Sequence, residues 1–232
     1  MLKRALCSAV SQRRTARIFS LNRKTVVRKF LFLSKHAKLE NEIENSLAPK
    51  CSIIEFDDLE TFEHTKCKPL SVTLAVEYKT RRILGFRVSQ MPAKGLLSKL
   101  SIKKYGYRAD HRSRGRIELF KEIQNYIDPR AVIKSDSNPH YPADIKKYFP
   151  EATHEVFLGK RGAITGQGEL KKIKFDPLFS LNHTCAKLRA DINRLVRKTW
   201  CTTKDPRRLE DHLALYANYH NQQLKLCGSR IA

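Results

Sequence analysis

The alternation of apolar and polar residues predicts a β-rich centre flanked by two helical ends. Leu70–Tyr78 and Ile83–Ser89 alternate with the period of a strand, and the short basic link 79–82 between them predicts an antiparallel hairpin. Three shorter apolar runs predict further strands at Cys51–Asp57, Ala131–Asp136 and His154–Leu158. The pattern therefore predicts five strands.

Helical spacing separates the last strands and fills the C-terminus. Apolar residues three and four apart predict a helix over 116–127, a short helix over 144–149, and helices beginning at Leu181 and Pro206. We expect basic loops with interleaved tyrosines at 92–112 and a glycine-rich loop at 159–168. Hairpin, strand and helix in this order predict an α/β fold: an RNase H-like core, with a mixed five-stranded sheet flanked by helices, over 51–232.

The N-terminal end reads as a small all-α region. Residues 2–36 predict three short helices, and 12–30 fit a helix-turn-helix in which Asn22 caps the second helix. Cations on its outward face are candidates for DNA binding: Arg23, Lys24, Arg28 and Lys29. A basic helix pair that packs on its own domain is the alternative. We assign 1–36 to DNA binding and 37–50, an acidic helical stretch ending near Pro49, to a linker.

The net charge of the chain indicates which class of partner it binds. The chain of 232 residues carries 46 Lys+Arg against 23 Asp+Glu, a net charge of +23, which predicts a polyanionic partner. Its six cysteines form no C-x-x-C pair, which indicates reduced thiols rather than a zinc ribbon or a disulfide framework. No apolar run is long enough to cross a membrane. We expect a cytoplasmic protein.

Two aspartates end predicted strands and carry the candidate chemistry. Asp57 ends the first strand and Asp136 the fourth, and the predicted order makes these strands neighbours. Hard carboxylate oxygens at this point suit Mg²⁺ or Mn²⁺, with two ions expected for phosphoryl transfer. A turn or cap role is the alternative for each aspartate, and Asp58 competes with Asp57. Three nearby glutamates are expected to be ordinary surface or hairpin residues: Glu55, Glu60 and Glu63.

Five segments carry a resemblance to a known family: Glu55–Phe62, Lys134–Ser137, Leu181–Trp200, Thr202–Lys204 and Tyr219–Asn221. Together they resemble the DDE transposases of bacterial insertion sequences, especially a branch in which Asn often takes the third catalytic position. The resemblance implies an RNase H-like core, a divalent metal, DNA strand cleavage at the ends of a mobile element, and strand transfer by a 3′-hydroxyl. It also implies a bacterial, nucleoid-associated protein.

The resemblance also implies roles for single residues. Asp57 and Asp136 match the first two acids, and Asn182 falls at the third position, where most relatives have Glu. An amide oxygen can ligate a metal but brings no charge, so weaker metal binding is expected. Arg189 matches the supporting basic residue, and His183 is a candidate proton acceptor or ligand. A helix N-cap is the alternative role for Asn182.

The implied partner is double-stranded DNA with terminal inverted repeats, bound by a homo-oligomer because recombination joins two element ends. Relatives usually carry a zinc ribbon before the helix-turn-helix, and this chain has no cysteine pair there. The alternative function is therefore a non-catalytic DNA-binding regulator or repressor derived from a truncated transposase. A general basic RNA-associated protein is a third possibility.

Overall fold

The computed structural model of the chain describes residues 1–158, 176–196 and 200–228. The N-terminal region is helical, with α1 (Leu2–Leu6), α2 (Gln12–Ile18) and the long α3 (Arg23–Leu47). The Ser11 and Asn22 side chains cap α2 and α3 by accepting hydrogen bonds from backbone amides of the first turns. Helix α3 ends just before Pro49, because a residue that precedes proline is forced out of the helical conformation.

A mixed sheet of five strands follows: β1 (Cys51–Phe62), β2 (Pro69–Glu77), β3 (Ile83–Gln90), β4 (Ile127–Asp136) and β5 (Thr153–Phe157). The strands lie in the order β3-β2-β1-β4-β5. The first three pair antiparallel, whereas β4 runs parallel to both β1 and β5. The predicted α/β fold with a mixed five-stranded sheet is confirmed, and this strand order is compatible with an RNase H-like core.

The remaining helices are α4 (Leu97–Tyr105), α5 (Arg112–Ile123), α6 (Tyr141–Tyr148), α7 (Phe179–Asp191) and α8 (Pro206–Gly228). Helix α4 and the first turn of α5 correct the prediction of a loop over 92–112. Gly106 follows α4 with φ of 74°, a conformation that glycine adopts without strain. The glycine-rich loop predicted at 159–168 lies outside the described residues.

Each face of the sheet carries its own core. One core joins β2 and part of β3 to α1, α3, α7 and α8, through residues such as Phe30, Leu74, Leu188 and Leu213. The other joins the opposite face to α5 and α6, through Phe56, Phe120, Ile133 and Tyr141. The sheet is therefore covered by helices on both sides, as its buried central strands require.

Residues 37–47, assigned above to the linker, form the second half of α3. This half packs against α8, where the Asn41 side chain donates to the Ala214 carbonyl and Lys38 pairs with Asp211. Asn45 donates to the Leu84 carbonyl of β3. Within the described part of the chain, no helix is long and apolar enough to cross a membrane.

Candidate active site

The candidate site lies where the parallel pairing between β1 and β4 ends. Their parallel pairing runs to Glu55 opposite Lys134, and two residues further along each strand come Asp57 and Asp136. Strand β4 ends at Asp136 as predicted. The prediction that the first strand ends at Asp57 is wrong, because β1 continues to Phe62 on its antiparallel pairing with β2. Asp57 therefore lies in the middle of a strand at a fork in the sheet.

Asp57 is a desolvated carboxylate beside other carboxylates. Burial raises its pKa to about 7, and the charges of Asp136 and Asp58 add to the rise. Two hydrogen bonds to Oδ1 oppose it: the Asp58 amide donates at 2.7 Å and the Tyr141 hydroxyl at 3.2 Å. The electrostatic effect of Asp136 on Asp57 indicates that the fold brings these two predicted site residues together.

Asp136 is held by the turn that follows it. Its Oδ1 accepts the Asn138 amide at 3.1 Å, a local bond typical of Asx turns. The adjacent Ser135 is fully buried, and its hydroxyl lies 2.9 Å from Nε2 of His154 on β5. The turn leads directly into α6 and so delivers Tyr141 to the site.

Tyr141 is a site residue that the sequence reasoning missed. Its ring is fully buried, with its centroid 4.6 Å from that of Phe56, while its hydroxyl reaches Asp57. Burial raises the pKa of Tyr141, and the nearby aspartates add to the rise, so the phenol stays a proton donor. Its place five residues after Asp136, at the start of a helix, was the available signal.

Asp58 does not compete with Asp57 for the same position. Successive side chains of a strand point to opposite faces, so these two neighbours diverge. Asp58 lies opposite Thr73 on β2, and its Oδ1 accepts the Thr73 hydroxyl at 2.5 Å. The Asp58 charge still acts on Asp57 and Tyr141 through space.

Glu55 is buried, and the prediction of an ordinary surface or hairpin residue is wrong for it. Its side chain has no exposed area, and its Oε2 accepts the Leu181 amide at 2.7 Å. Burial raises the pKa of Glu55, which the Leu181 bond and the Lys134 charge oppose. This carboxylate ties the first turn of α7 to β1. Glu60 is exposed and pairs with Lys94, as expected for a surface residue.

Helix α7 carries Cys185, which packs against the core that includes Leu59 of β1, and Arg189 one turn further on. Burial raises the pKa of the Cys185 thiol to about 12; the Arg189 guanidinium opposes the rise, and the Asp57 carboxylate adds to it. These influences indicate that Cys185 lies near both charged groups. A position four residues along a helix shares the same face, so the placement of Arg189 follows from that of Cys185.

Asn182 is exposed in the first helical turn, where its Nδ2 donates to Asp176 Oδ2 at 2.8 Å. The helix begins at Phe179 after Leu178, so Asn182 is not its N-cap. Asp176 also accepts the Leu178 amide at 3.0 Å and thereby supports the start of α7. The role of Asn182 as a third ligand stays a prediction.

His183 lies beside Arg81, whose Nη1 is 3.3 Å from each ring nitrogen. Burial lowers the pKa of His183, and the charges of Arg81 and Lys187 lower it further. The imidazole is therefore neutral at neutral pH. A neutral imidazole can accept a proton, which is the role the sequence suggested for it.

The acidic pair does not extend to a larger set of common ligands. Across 1–158, 176–196 and 200–228, no three His, Cys, Asp or Glu side chains form a group that could hold a metal ion. The four cations proposed for DNA binding precede the acidic pair in the sequence and lie at exposed positions of α3: Arg23, Lys24, Arg28 and Lys29.

Compared with known proteins, the chain matches no protein-family model and no curated protein sequence.

Proposed function

We propose that the protein is a DDE-type transposase, an enzyme that cleaves DNA at the ends of a mobile element and transfers the strands in a metal-dependent reaction. The observation that carries the proposal is the pair Asp57 and Asp136 at the fork between two parallel strands. Desolvation and mutual repulsion raise the pKa of Asp57 to about 7. A bound cation would relieve both effects.

The residues of the pair fit a magnesium site. Mg²⁺ commonly binds through one or two protein carboxylates and completes its octahedron with water and substrate phosphate oxygens. Asp57 and Asp136 would hold the metal, and Asn182 is a further candidate ligand only if it leaves Asp176. When bound, Mg²⁺ or Mn²⁺ supplies charge neutralisation at the phosphate and lowers the pKa of a coordinated water.

The protein's own groups orient the two carboxylates. The Asp58 amide and the Tyr141 hydroxyl both donate to Oδ1 of Asp57, and the Asn138 amide donates to Oδ1 of Asp136. These bonds restrain rotation of the carboxylates before substrate arrives. Fixed ligands of this kind lower the reorganisation that a phosphoryl transfer would otherwise require.

Basic groups supply the binding energy for DNA. The net charge of +23 favours a polyanion, and the exposed cations at the start of α3 are suited to phosphate contact. Arg189 on α7, whose charge acts on the Cys185 thiol as that of Asp57 does, is a candidate contact for the phosphate that reacts. Double-stranded DNA with terminal inverted repeats is the proposed substrate, and a homo-oligomer is the proposed assembly.

A nicking assay with three isosteric variants tests the proposal. Asp57→Asn and Asp136→Asn each remove a charge from the pair, so Mg²⁺-dependent nicking of DNA should fall roughly 100-fold or more. Asp58→Asn is the matched control, because Asp58 lies on the opposite face and bonds to Thr73. Its nicking rate should fall far less, and duplex binding should persist in all three variants. Unchanged nicking by Asp57→Asn and Asp136→Asn would refute the assignment.

The exposed position of Asn182 favours one alternative, a DNA-binding regulator without catalytic activity. Its amide bonds to Asp176, and a third acid is missing from its position in the sequence. Metal affinity separates the two functions without an activity assay, because a ligand that binds the native state raises its melting temperature. Melting temperatures that do not respond to millimolar Mg²⁺ or Mn²⁺, combined with tight duplex binding, would favour the regulator.

A further inference from the structure

Helix α3 has a second apolar face in addition to the one it buries. Its buried positions, Val26, Phe30, Ser34, Ala37 and Asn45, face the rest of the fold. On the opposite side lie four large apolar residues with high exposed fractions: Phe32 (57%), Leu39 (51%), Ile43 (58%) and Leu47 (82%). A helix that is apolar on two opposite faces usually packs against something on both.

The spacing of the exposed residues is that of a helix–helix seam. Phe32, Leu39, Ile43 and Leu47 follow one another at intervals of seven, four and four residues, so they form one stripe along the helix. The stripe is about 22 Å long, since each helical residue rises 1.5 Å. His36 lies between Phe32 and Leu39 on the same stripe, and its ring centroid is 4.3 Å from that of Phe32.

The charges beside the stripe change sign along α3. Exposed cations occupy its first half: Arg23, Lys24, Arg28, Lys29 and Lys35. Exposed carboxylates, Glu40 and Glu42, follow in its second half, where the exposed cation Lys38 is paired with Asp211 of α8. Lys35 and Glu42 are seven residues apart and therefore lie on the same flank of the stripe.

We infer that this stripe is a dimer interface, in which α3 pairs antiparallel with α3 of a second copy of the chain. In that arrangement the basic half of one helix lies beside the acidic half of the other. Lys35 of each copy meets Glu42 of the other copy, so this ion pair forms twice, once on each side of the two-fold axis. A parallel pairing would instead bring the two basic halves together.

The inference does not depend on the proposed function, because a regulator could use the same interface. It commits to a second copy of this chain as the occupant, since the two halves of the same helix are complementary to each other in charge. An apolar seam flanked by complementary charges sets both the partner and its direction.

Light scattering coupled to size exclusion tests the seam. The wild-type chain should elute with twice the mass of one chain at micromolar concentration, and Ile43→Lys should elute with the mass of one. Ile102→Lys on α4 is the matched control, since Ile102 has nearly the same exposed fraction, 56% against 58%. This control should remain a dimer. A monomeric wild-type chain, or a dimeric Ile43→Lys variant, would overturn the inference.

A charge swap tests the direction and does not rely on a change in the apolar seam. Lys35→Glu and Glu42→Lys each place like charges opposite one another twice, so each variant should weaken dimerisation at low salt by about 10-fold or more. The double variant Lys35→Glu/Glu42→Lys restores opposite charges and should restore the dimer. Failure of the double variant to recover would overturn the antiparallel pairing. Circular dichroism should show the same helix content for every variant.

Discussion

At the scale of single residues, the candidate site is a small set of carboxylates in different surroundings. Asp57 is desolvated and crowded, Asp58 is bonded to Thr73, and Glu55 is wholly buried on a backbone amide. Adjacent residues of the same type thus have different chemistry, because strand alternation sends them to different faces. Of these three carboxylates, Asp57 is the one whose raised pKa owes part of its rise to the charge of Asp136.

The raised pKa of Asp57 makes stability depend on pH. The pKa is about 7 in the folded chain against an ordinary 3.8, so the folded state binds more protons than the unfolded state between these values. The stabilisation is complete below about pH 4 and is lost as the pH rises to about 7. Asp57→Asn should flatten this slope and, above pH 7, stabilise the metal-free protein by roughly 1–2 kcal/mol. Urea unfolding across this range measures both effects, and an unchanged slope would contradict the assignment.

The sequence placed Asp57 and Asp136 on neighbouring strands, but it did not predict the groups that support them. The strands that carry Asp57 and Asp136 and their neighbouring order follow from apolar runs, although β1 continues past Asp57 to Phe62. Tyr141 could not be predicted, since its hydroxyl reaches Asp57 across 84 positions of the chain. Glu55 looked like a polar position of an exposed strand, and only the packing of α7 against β1 shows that it is buried.

At the scale of elements, the hairpin was predicted within one residue at each boundary, because its alternation is regular. The predicted end of β1 at Asp57 was wrong, since the pattern does not reveal that β2 continues to pair with β1 as far as Phe62. Helix α4 was missed because its apolar residues, such as Leu100 and Ile102, are exposed. A helix that buries little of its surface does not need apolar residues at helical spacing, so their periodicity does not predict it.

The contact between α5 and β3 depends on a glycine. A Cβ at Gly115 would lie 2.0 Å from Oγ of the buried Ser89, so alanine is accommodated only if that hydroxyl moves. In a helix interior, alanine is otherwise favoured over glycine by about 1 kcal/mol. Gly115→Ala should therefore be neutral or destabilising alone, and stabilising by about 1 kcal/mol in the Ser89→Ala background. A double-mutant cycle by urea unfolding measures this coupling, and additive effects would contradict it.

At the scale of the whole molecule, the excess of positive charge predicts how binding to DNA responds to salt. Each cation that contacts a phosphate adds about 0.9 to the slope of log affinity against log salt concentration. Arg23→Gln/Arg28→Gln should reduce that slope by about 2 and weaken duplex binding, if the start of α3 contacts DNA as proposed. Arg114→Gln/Arg130→Gln is the matched control, with both side chains at least 80% exposed. Equal slopes for the two double variants would place the DNA elsewhere.

Helix α3 runs without a break from the turn after α2 to the contact with α8 and β3. A single straight helix fixes both the distance and the relative orientation of its two ends, since each residue is rotated by about 100° around the helix axis relative to the one before it. A ligand bound at the first turn of α3 is therefore held in one fixed orientation relative to the sheet, because the helix contains no hinge between them. The distance and the direction of the first turn of α3 relative to the sheet are then set by the length and rotation of the helix rather than by a flexible linker.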